Sequence, residues 1–265
     1  MTVRYGVLSD VHGNLPALEA ALAALASLGV DGYLVAGDLV GYGPFPNECV
    51  AAVAALAPVC VAGNHDLIAL GRLSSERCIP LARRSLEWTR SVLGAEARAY
   101  LAALPLRADA AGGRVVVAHG SLDDPSEYTT RPEQAAAQLE RLAAGSPAAQ
   151  ILLLGHTHRP WACDDAGVVL RVRSNGSLAL REVRRVVLNP GAVGQSRQRL
   201  VRARFVVLDL ERMTASYHAV PYDTARCRRA LRSHGLHARS YHLRRSAFRA
   251  LRPIARGAWR RARRR

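Results

Sequence analysis

Five short apolar runs within the first 160 residues each stop at a loop carrying Asp, Asn or His, and no packing requirement explains that repetition. The sharpest case is Val59-Cys60-Val61-Ala62, followed by Gly63-Asn64-His65-Asp66. The apolar run has the length of a buried strand, and a glycine lets the backbone turn sharply at its end. An amide, an imidazole and a carboxylate in consecutive positions on a tight turn suit a site: an oxygen ligand, a proton-handling group and a carboxylate to orient it. The same design recurs at Asp10/His12, Asp38, His119 and His156/His158.

The pattern between these blocks sets the fold class. A strand over 3–8 leads through Ser9-Asp10-Val11-His12-Gly13-Asn14 into a helix with Leu15, Leu18, Leu22 and Leu25 at helical spacing. Asn14 is placed to cap it, Pro16 suits its first turn and Gly29 its end. A strand at 33–36, a helix over 46–56 and a strand at 58–62 complete a β-α-β-α-β start, which implies a parallel sheet with right-handed crossovers. Ligands collect at the carboxyl ends of such strands, where Asp10, His12, Asp38, Asn64 and His65 fall.

Residues 67–104 read as helical, a flap beside the site. A strand at 114–118 ends at His119, a helix is expected over 132–143, and Ile151-Leu152-Leu153-Leu154 runs into Gly155-His156-Thr157-His158. From there alternating segments at 167–173, 178–188 and 202–219, with turn signals at Ser174-Asn175-Gly176 and Asn189-Pro190-Gly191, read as antiparallel strands. Two sheets with outer helices fit this order better than one open sheet.

Several classes are excluded. No apolar run approaches the ~18 residues of a membrane span. Met1 leads directly into strand-like sequence without a signal peptide, so the chain is expected in the cytoplasm. Cysteines at 49, 60, 78, 163 and 227 form no Cys-x-x-Cys pair, and their odd number argues against a disulfide framework. They read as buried or indifferent thiols.

The donors in the five blocks are carboxylate and amide oxygens and imidazole nitrogens, with no thiolate among them. Such a set favours Mn²⁺, Fe, Zn²⁺ or Ni²⁺ over a soft metal. Seven candidate ligands (Asp10, His12, Asp38, Asn64, His119, His156 and His158) are too many for one ion and enough for two if one carboxylate bridges. Two cations ~3.5–4 Å apart can clamp a phosphoryl oxygen and generate hydroxide near neutral pH. Taken singly, each block has a plainer explanation. Asp10 could cap a helix, Asn64 and Asp66 could make a turn, and His119 could be a satisfied core histidine. Their joint occurrence at strand ends favours the site.

Asp10-x-His12, Gly37-Asp38, Gly63-Asn64-His65-Asp66, a lone His119 and Gly155-His156-x-His158 come in an order and spacing that resembles the calcineurin-like metallophosphoesterases. The longer stretches Ser9–Asn14 and Gly41-Tyr42-Gly43-Pro44 look like that superfamily's small bacterial, phosphodiesterase-type branch. The resemblance implies a four-layer α/β/β/α sandwich of two mixed sheets flanked by helices, with a dinuclear centre. Asp10, His12 and His158 would hold one metal, Asn64, His119 and His156 the other, and Asp38 would bridge them. Two divalent ions are implied, manganese foremost. His65 would contact the phosphate or protonate the leaving oxygen as a protonated imidazole, with Asp66 orienting its ring; these two are the catalytic candidates. The implied activity is hydrolysis of a phosphodiester or phosphomonoester by metal-activated hydroxide. The substrate would be a phosphate-ester small molecule or a nucleotide.

The stretch Asn189-Pro190-Gly191-Ala192-Val193-Gly194-Gln195 resembles a loop of the same branch, where serine is more usual at 192; it reads as a turn packing near the site. Tyr42, Phe45 and Trp161 read as rim packing.

Charge divides the chain. Fifteen arginines and no acidic residue follow Asp223, leaving residues 1–223 almost neutral, and the chain has no lysine. We read 1–223 as one metallophosphoesterase domain and 224–265 as a basic extension, with helices over 224–234 and 237–251 and a disordered arginine-rich end after Pro253. Such a tail attracts nucleic acid or another polyanion without sequence preference. Two alternatives therefore stand beside the phosphoesterase: a metal-dependent nuclease aided by the tail, and a non-catalytic scaffold of the same fold.

Overall fold

The computed structural model describes residues 4–243. Its first sheet begins with β1 (Arg4–Leu8), β2 (Gly32–Val35) and β3 (Val59–Cys60), all parallel, connected by α1 (Leu15–Ser27) and α2 (Pro46–Ala54). Asn14 caps α1 by accepting the Ala17 N–H at 3.3 Å, as its position in the sequence predicts.

Next come α3 (Asn64–Leu70), α4 (Pro80–Val92) and α5 (Ala95–Ala103). The expected helical region 67–104 is thus three helices with an irregular 71–79 between the first two. The first begins three residues early, so Asn64, His65 and Asp66 form its opening turn. Helix α4 covers the loop after β2: the Ser85 hydroxyl on it accepts the Tyr42 N–H at 3.1 Å.

The second sheet is built from β4 (Arg107–Ala110), β5 (Val115–Ala118), β6 (Ile151–Leu153), β7 (Pro160–Asp164), β8 (Val169–Leu170) and β10 (Val186–Pro190), with α6 (Pro132–Gly145) between β5 and β6. The short β9 (Gly176–Ala179) and the hairpin β11 (Ala203–Asp209) and β12 (Thr214–Val220) return to the first sheet. Two mixed six-stranded sheets result, ordered β3-β2-β1-β11-β12-β9 and β4-β5-β6-β10-β7-β8. The last helix among the described residues, α7 (Thr224–Ser233), is capped by Asp223 and packs on the body through the buried Cys227 and Leu231.

Apolar alternation along the central strands explains the stacking. In the first sheet Leu8, Val35 and Val207 face α1–α5, whereas Val7, Leu34 and Val206 face the second sheet. In the second sheet Val115, Ile151 and Val186 point back at the first, whereas Val116, Leu152 and Val187 meet Leu139 and Leu142 of α6. Strands buried on both faces read as continuous apolar runs, which is how they appear in the sequence. Burying each of these leucines contributes roughly 1.5–3 kcal/mol. The expected four-layer α/β/β/α sandwich is the observed architecture.

Several expectations need correction. The stretch expected as one strand over 178–188 is two, β9 and β10, in different sheets. Strand β10 runs parallel to β6 although the second half reads as antiparallel; the Gly176–Pro190 stretch leaves one sheet and enters the other. Strands β4 and β7 were not expected, since Arg107–Ala110 alternates weakly and Pro160 opens the second. Pro190 ends β10 instead of making a turn, and Gly191 turns the chain at φ +83°. All five cysteines are free thiols. Residues 237–243 run as turns, and the rest of the helix expected to 251, with the arginine-rich end, lies outside the described residues.

Candidate metal centre

The carboxyl ends of β1, β2 and β3 in one sheet and of β5 and β6 in the other meet at one rim. There the structure gathers Asp10, His12, Asp38, Asn64, His119, His156 and His158, none more than 6% exposed. Two groups emerge. Asp10, His12, Asp38 and His158 bring one ligand atom each within 4.8 Å of one another, and so do Asp38, His119 and His156. Asn64 Oδ1 joins the second at 3.2 Å from His119 Nε2. Asp38 belongs to both.

The loops pay for this convergence in backbone strain. Asp10, His12, Asp38, His156 and His158 all have φ between 50° and 62°, as does Tyr42 at 59°. Non-glycine residues there cost of order 1–3 kcal/mol each, and such positions cluster at functional sites. Close approach is bought with glycine: a Cβ on Gly63 would collide with the backbone nitrogen and Oδ1 of Asp38.

Each candidate histidine is tethered by the ring nitrogen that does not face the cluster. His12 Nδ1 donates to Val40 O at 3.1 Å, His119 Nδ1 to Ala36 O at 2.6 Å and His158 Nδ1 to Gln195 O at 2.7 Å. His156 Nε2 donates to Ser126 O at 3.1 Å. A carbonyl can only accept, so the tether commits one ring nitrogen as a donor and aims the other at the cluster, the usual support of a metal-ligating imidazole. His65 has no such tether; its Nδ1 is buried without a partner.

The carboxylates are held in the same way. Asp38 Oδ1 accepts the His65 N–H at 2.8 Å, while Oδ2 is buried 3.5 Å from His12 Nε2 and 3.3 Å from His119 Nε2. Asp10 accepts from the Ser9 hydroxyl and the His156 N–H, and its Oδ1 lies 3.3 Å from His158 Nε2. His12 and His158 turn their Nε2 atoms on each other at 3.2 Å. So many inward-facing nitrogen and oxygen donors at such distances form a set that fits divalent metal.

Electrostatics agree. Burial keeps His12, His156 and His158 well below the usual imidazole range, hence neutral and able to ligate. Burial also works to lower His119, but the Asp38 carboxylate outweighs it and pushes the ring up to about 9. Burial raises Asp38 too, yet the His119 and His65 rings more than offset that and hold it well below the carboxylate range. In the metal-free protein a proton on His119 thus does part of a cation's work.

Two expectations about His65 change. Its ring lies edge-on to His12 at 4.7 Å and stacked on Tyr42 at 4.8 Å, inside the site. Burial lowers it to about 4, so it is neutral near pH 7 instead of the expected imidazolium. Nor do the hydrogen bonds of Asp66 go to that ring. Its carboxylate accepts the backbone N–H groups of Asp38, Gly63 and Val40 at 2.9, 2.9 and 3.1 Å, which braces the loops and not the imidazole. Asp66 points that way because it occupies the third position of α3, where a side chain reaches back to the helix entry.

Sequence reasoning missed three neighbours. Tyr42, expected at the rim, is buried against His12 and His65. Tyr128 lies over the His156 ring at 4.0 Å. Arg197 donates to His158 Nε2 at 3.2 Å. The signal for Arg197 was its position after the 189–195 loop, which does pack on the site: the Val193 and Gly194 N–H groups donate to Ser9 O and Asp10 O at 3.0 Å each.

The model of the calcineurin-like phosphoesterase superfamily domain matches residues 3–213. An uncharacterized protein of Methanocaldococcus jannaschii is 30% identical over 219 residues, covering 82% of this chain and 87% of its own. The crystal structure of a metallophosphoesterase from Sphaerobacter thermophilus matches with a TM-score of 0.78 and 34% identity, over 91% of this chain and 97% of that one. A hypothetical protein of Pyrococcus horikoshii shares the fold at a TM-score of 0.71 and 22% identity, over 90% and 96%.

Proposed function

The chain belongs to the calcineurin-like phosphoesterase superfamily, and we propose that it is a cytoplasmic, metal-dependent phosphoesterase with a dinuclear centre that hydrolyses phosphodiester or phosphomonoester bonds of nucleotide-like substrates. The observation that carries this reading is Asp38 Oδ2, buried between His12 Nε2 and His119 Nε2 and shared by two groups of inward-facing donors. Asp10, His12 and His158 would hold one ion, and Asn64, His119 and His156 the other, with Asp38 between them. Oxygen and nitrogen donors without sulfur put manganese first, with iron, zinc and nickel behind it.

Bound divalent cations supply Lewis acidity at a phosphoryl oxygen and lower the pKa of water. The residues of the chain do the rest. The carbonyl tethers keep four imidazoles in one tautomer, and Asp66 holds the Asp38 and Gly63 loops in register. His65, neutral and untethered, offers a ring N–H to a phosphoryl or leaving-group oxygen. An anionic phosphate arriving there favours its protonated form. Charge on the fifteen arginines after Asp223 supports contact with a polyanionic substrate, in which case turnover of DNA would fall in about 0.5 M salt while that of a small diester persists.

The test is hydrolysis of an aryl phosphodiester and the matching monoester by metal-stripped protein re-supplied with Mn²⁺, alongside His65→Ala. Activity that returns with metal and collapses in the variant is expected. Ion binding without turnover, for any divalent metal, would replace the enzyme with the scaffold.

A further inference from the structure

Arg197 sits where the loop after β10 reaches the site. Its Nη2 donates to His158 Nε2 at 3.2 Å, and its Nε donates to Gln195 Oε1 at 3.2 Å. The lone pair it uses on His158 is the one that faces Asp10 and His12, because His158 Nδ1 is committed to Gln195 O. A cation held by His158 takes that lone pair. The guanidinium then stands beside a divalent ion with a donor released, and like charges at that range repel unless an anion lies between them.

The loop cannot simply swing away, because residues 240–243 strap it down on both sides of Arg197. The Ser196 N–H donates to Tyr241 O at 2.8 Å, the Leu243 N–H to Ser196 O at 3.0 Å, and His242 Nε2 to Gln198 O at 2.9 Å. The strap is itself anchored: the buried Ser240 hydroxyl donates to Tyr42 O at 2.8 Å, and Leu243 packs with Tyr42, Ile79 and Ala82. These residues lie beyond 213, where the family match ends.

We propose that Arg197 is the residue that binds the non-bridging phosphoryl oxygen in the metal-loaded site, and that the 240–243 strap positions it there. The ligand class is a tetrahedral phosphate or phosphate-ester anion, whose oxygens a planar guanidinium fork matches better than an ammonium does. This deepens the phosphoesterase reading and rests on it.

The experiment is calorimetric binding of inorganic phosphate to the Mn²⁺-loaded full chain, comparing wild type, Arg197→Gln, Arg197→Lys and Leu243→Ala, with Mn²⁺ binding measured separately. Arg197→Gln is expected to weaken phosphate ~10- to 100-fold, the loss of charge-assisted hydrogen bonds, while Mn²⁺ binds as well as before or better. Arg197→Lys should fall between, since it keeps the charge and loses the fork, and it serves if the glutamine variant does not fold. Leu243→Ala should weaken phosphate roughly threefold or more at unchanged Mn²⁺ affinity, as a misplaced positioning group does. Phosphate affinity within about twofold of wild type in both Arg197 variants would overturn the proposal. So would collapse of Mn²⁺ binding in them, which makes Arg197 a prop for His158. Wild-type phosphate affinity in Leu243→Ala would overturn the strap. No step here needs turnover, so a wild type that binds phosphate but hydrolyses nothing would sink the phosphoesterase reading alone.

Discussion

The carboxylate of Asp66 accepts the backbone N–H of Asp38 at 2.9 Å, and that of Asp38 in turn accepts the backbone N–H of His65 at 2.8 Å. Two acidic residues, one in the loop after β2 and one in the first turn of α3, are thus linked through main-chain donors, leaving the second oxygen of Asp38 between His12 and His119 at the centre of the site. An amide at 66 would turn an NH₂ group toward donors that now meet an oxygen. Asp66→Asn should therefore lose about 2–4 kcal/mol of stability and weaken metal binding together. Thermal unfolding and a Mn²⁺ titration check this; a variant as stable as wild type would show that these bonds do not brace the loops.

On the proposed assignment the tether separates the metal-holding histidines from His65. His158→Ala should lose metal, by at least about 100-fold, since even outer partners of a ligand matter by 10–100-fold. His65→Ala, lacking any tether to break, should keep its metal and lose turnover by about 10²–10⁴-fold. Metal content per chain and kcat, measured on both variants, decide the assignment.

Metal-free protein should show a signed pH dependence. His119 is raised to about 9 from an ordinary imidazole value, so its contribution to stability is fully present below pH ~6.5 and is lost as pH rises through about 9. Burial raises all five thiols, and their slope above pH ~8.5 has the same sign. The readout is therefore the difference between wild type and His119→Gln in urea unfolding of chelated protein at pH 6.5 and 9.5. Wild type should lose more stability across that interval. Metal uptake near pH 7 should also release a proton, which calorimetry in buffers of different ionisation enthalpy detects.

Gly63→Ala tests the close approach of two strand ends. Its new methyl would meet the Asp38 backbone nitrogen and Oδ1, the latter held by the His65 N–H. A loss of about 1–3 kcal/mol with weakened metal binding is expected. Wild-type metal affinity would show that the loops have slack.

Much of this was legible because Asp, Asn and His at the ends of apolar strands are costly to place and leave a pattern where they stand. The five blocks named the residues that converge at the rim, and strand alternation named the layers. Asp66 misled because adjacency in the chain pointed to His65, whereas the first turn of α3 sends its carboxylate back to the loops. Arg197 gave no signal as a residue type: every one of the 37 basic residues is an arginine, and only the fold singles out the one beside His158. Strands β4 and β7 are held by their partners more than by their own alternation, and no local pattern announces that.

The ligand groups draw on both sheets: Asp10, His12 and Asp38 follow strands of one, and His119, His156 and His158 follow strands of the other. Ions at that rim would act as rivets across the seam between the layers, stabilising only the folded chain. Scarcity of the cation would then do more than silence the enzyme. Copies made without it would open more often at that edge and be cleared by proteases sooner, so the amount of the protein in a cell would track its metal supply.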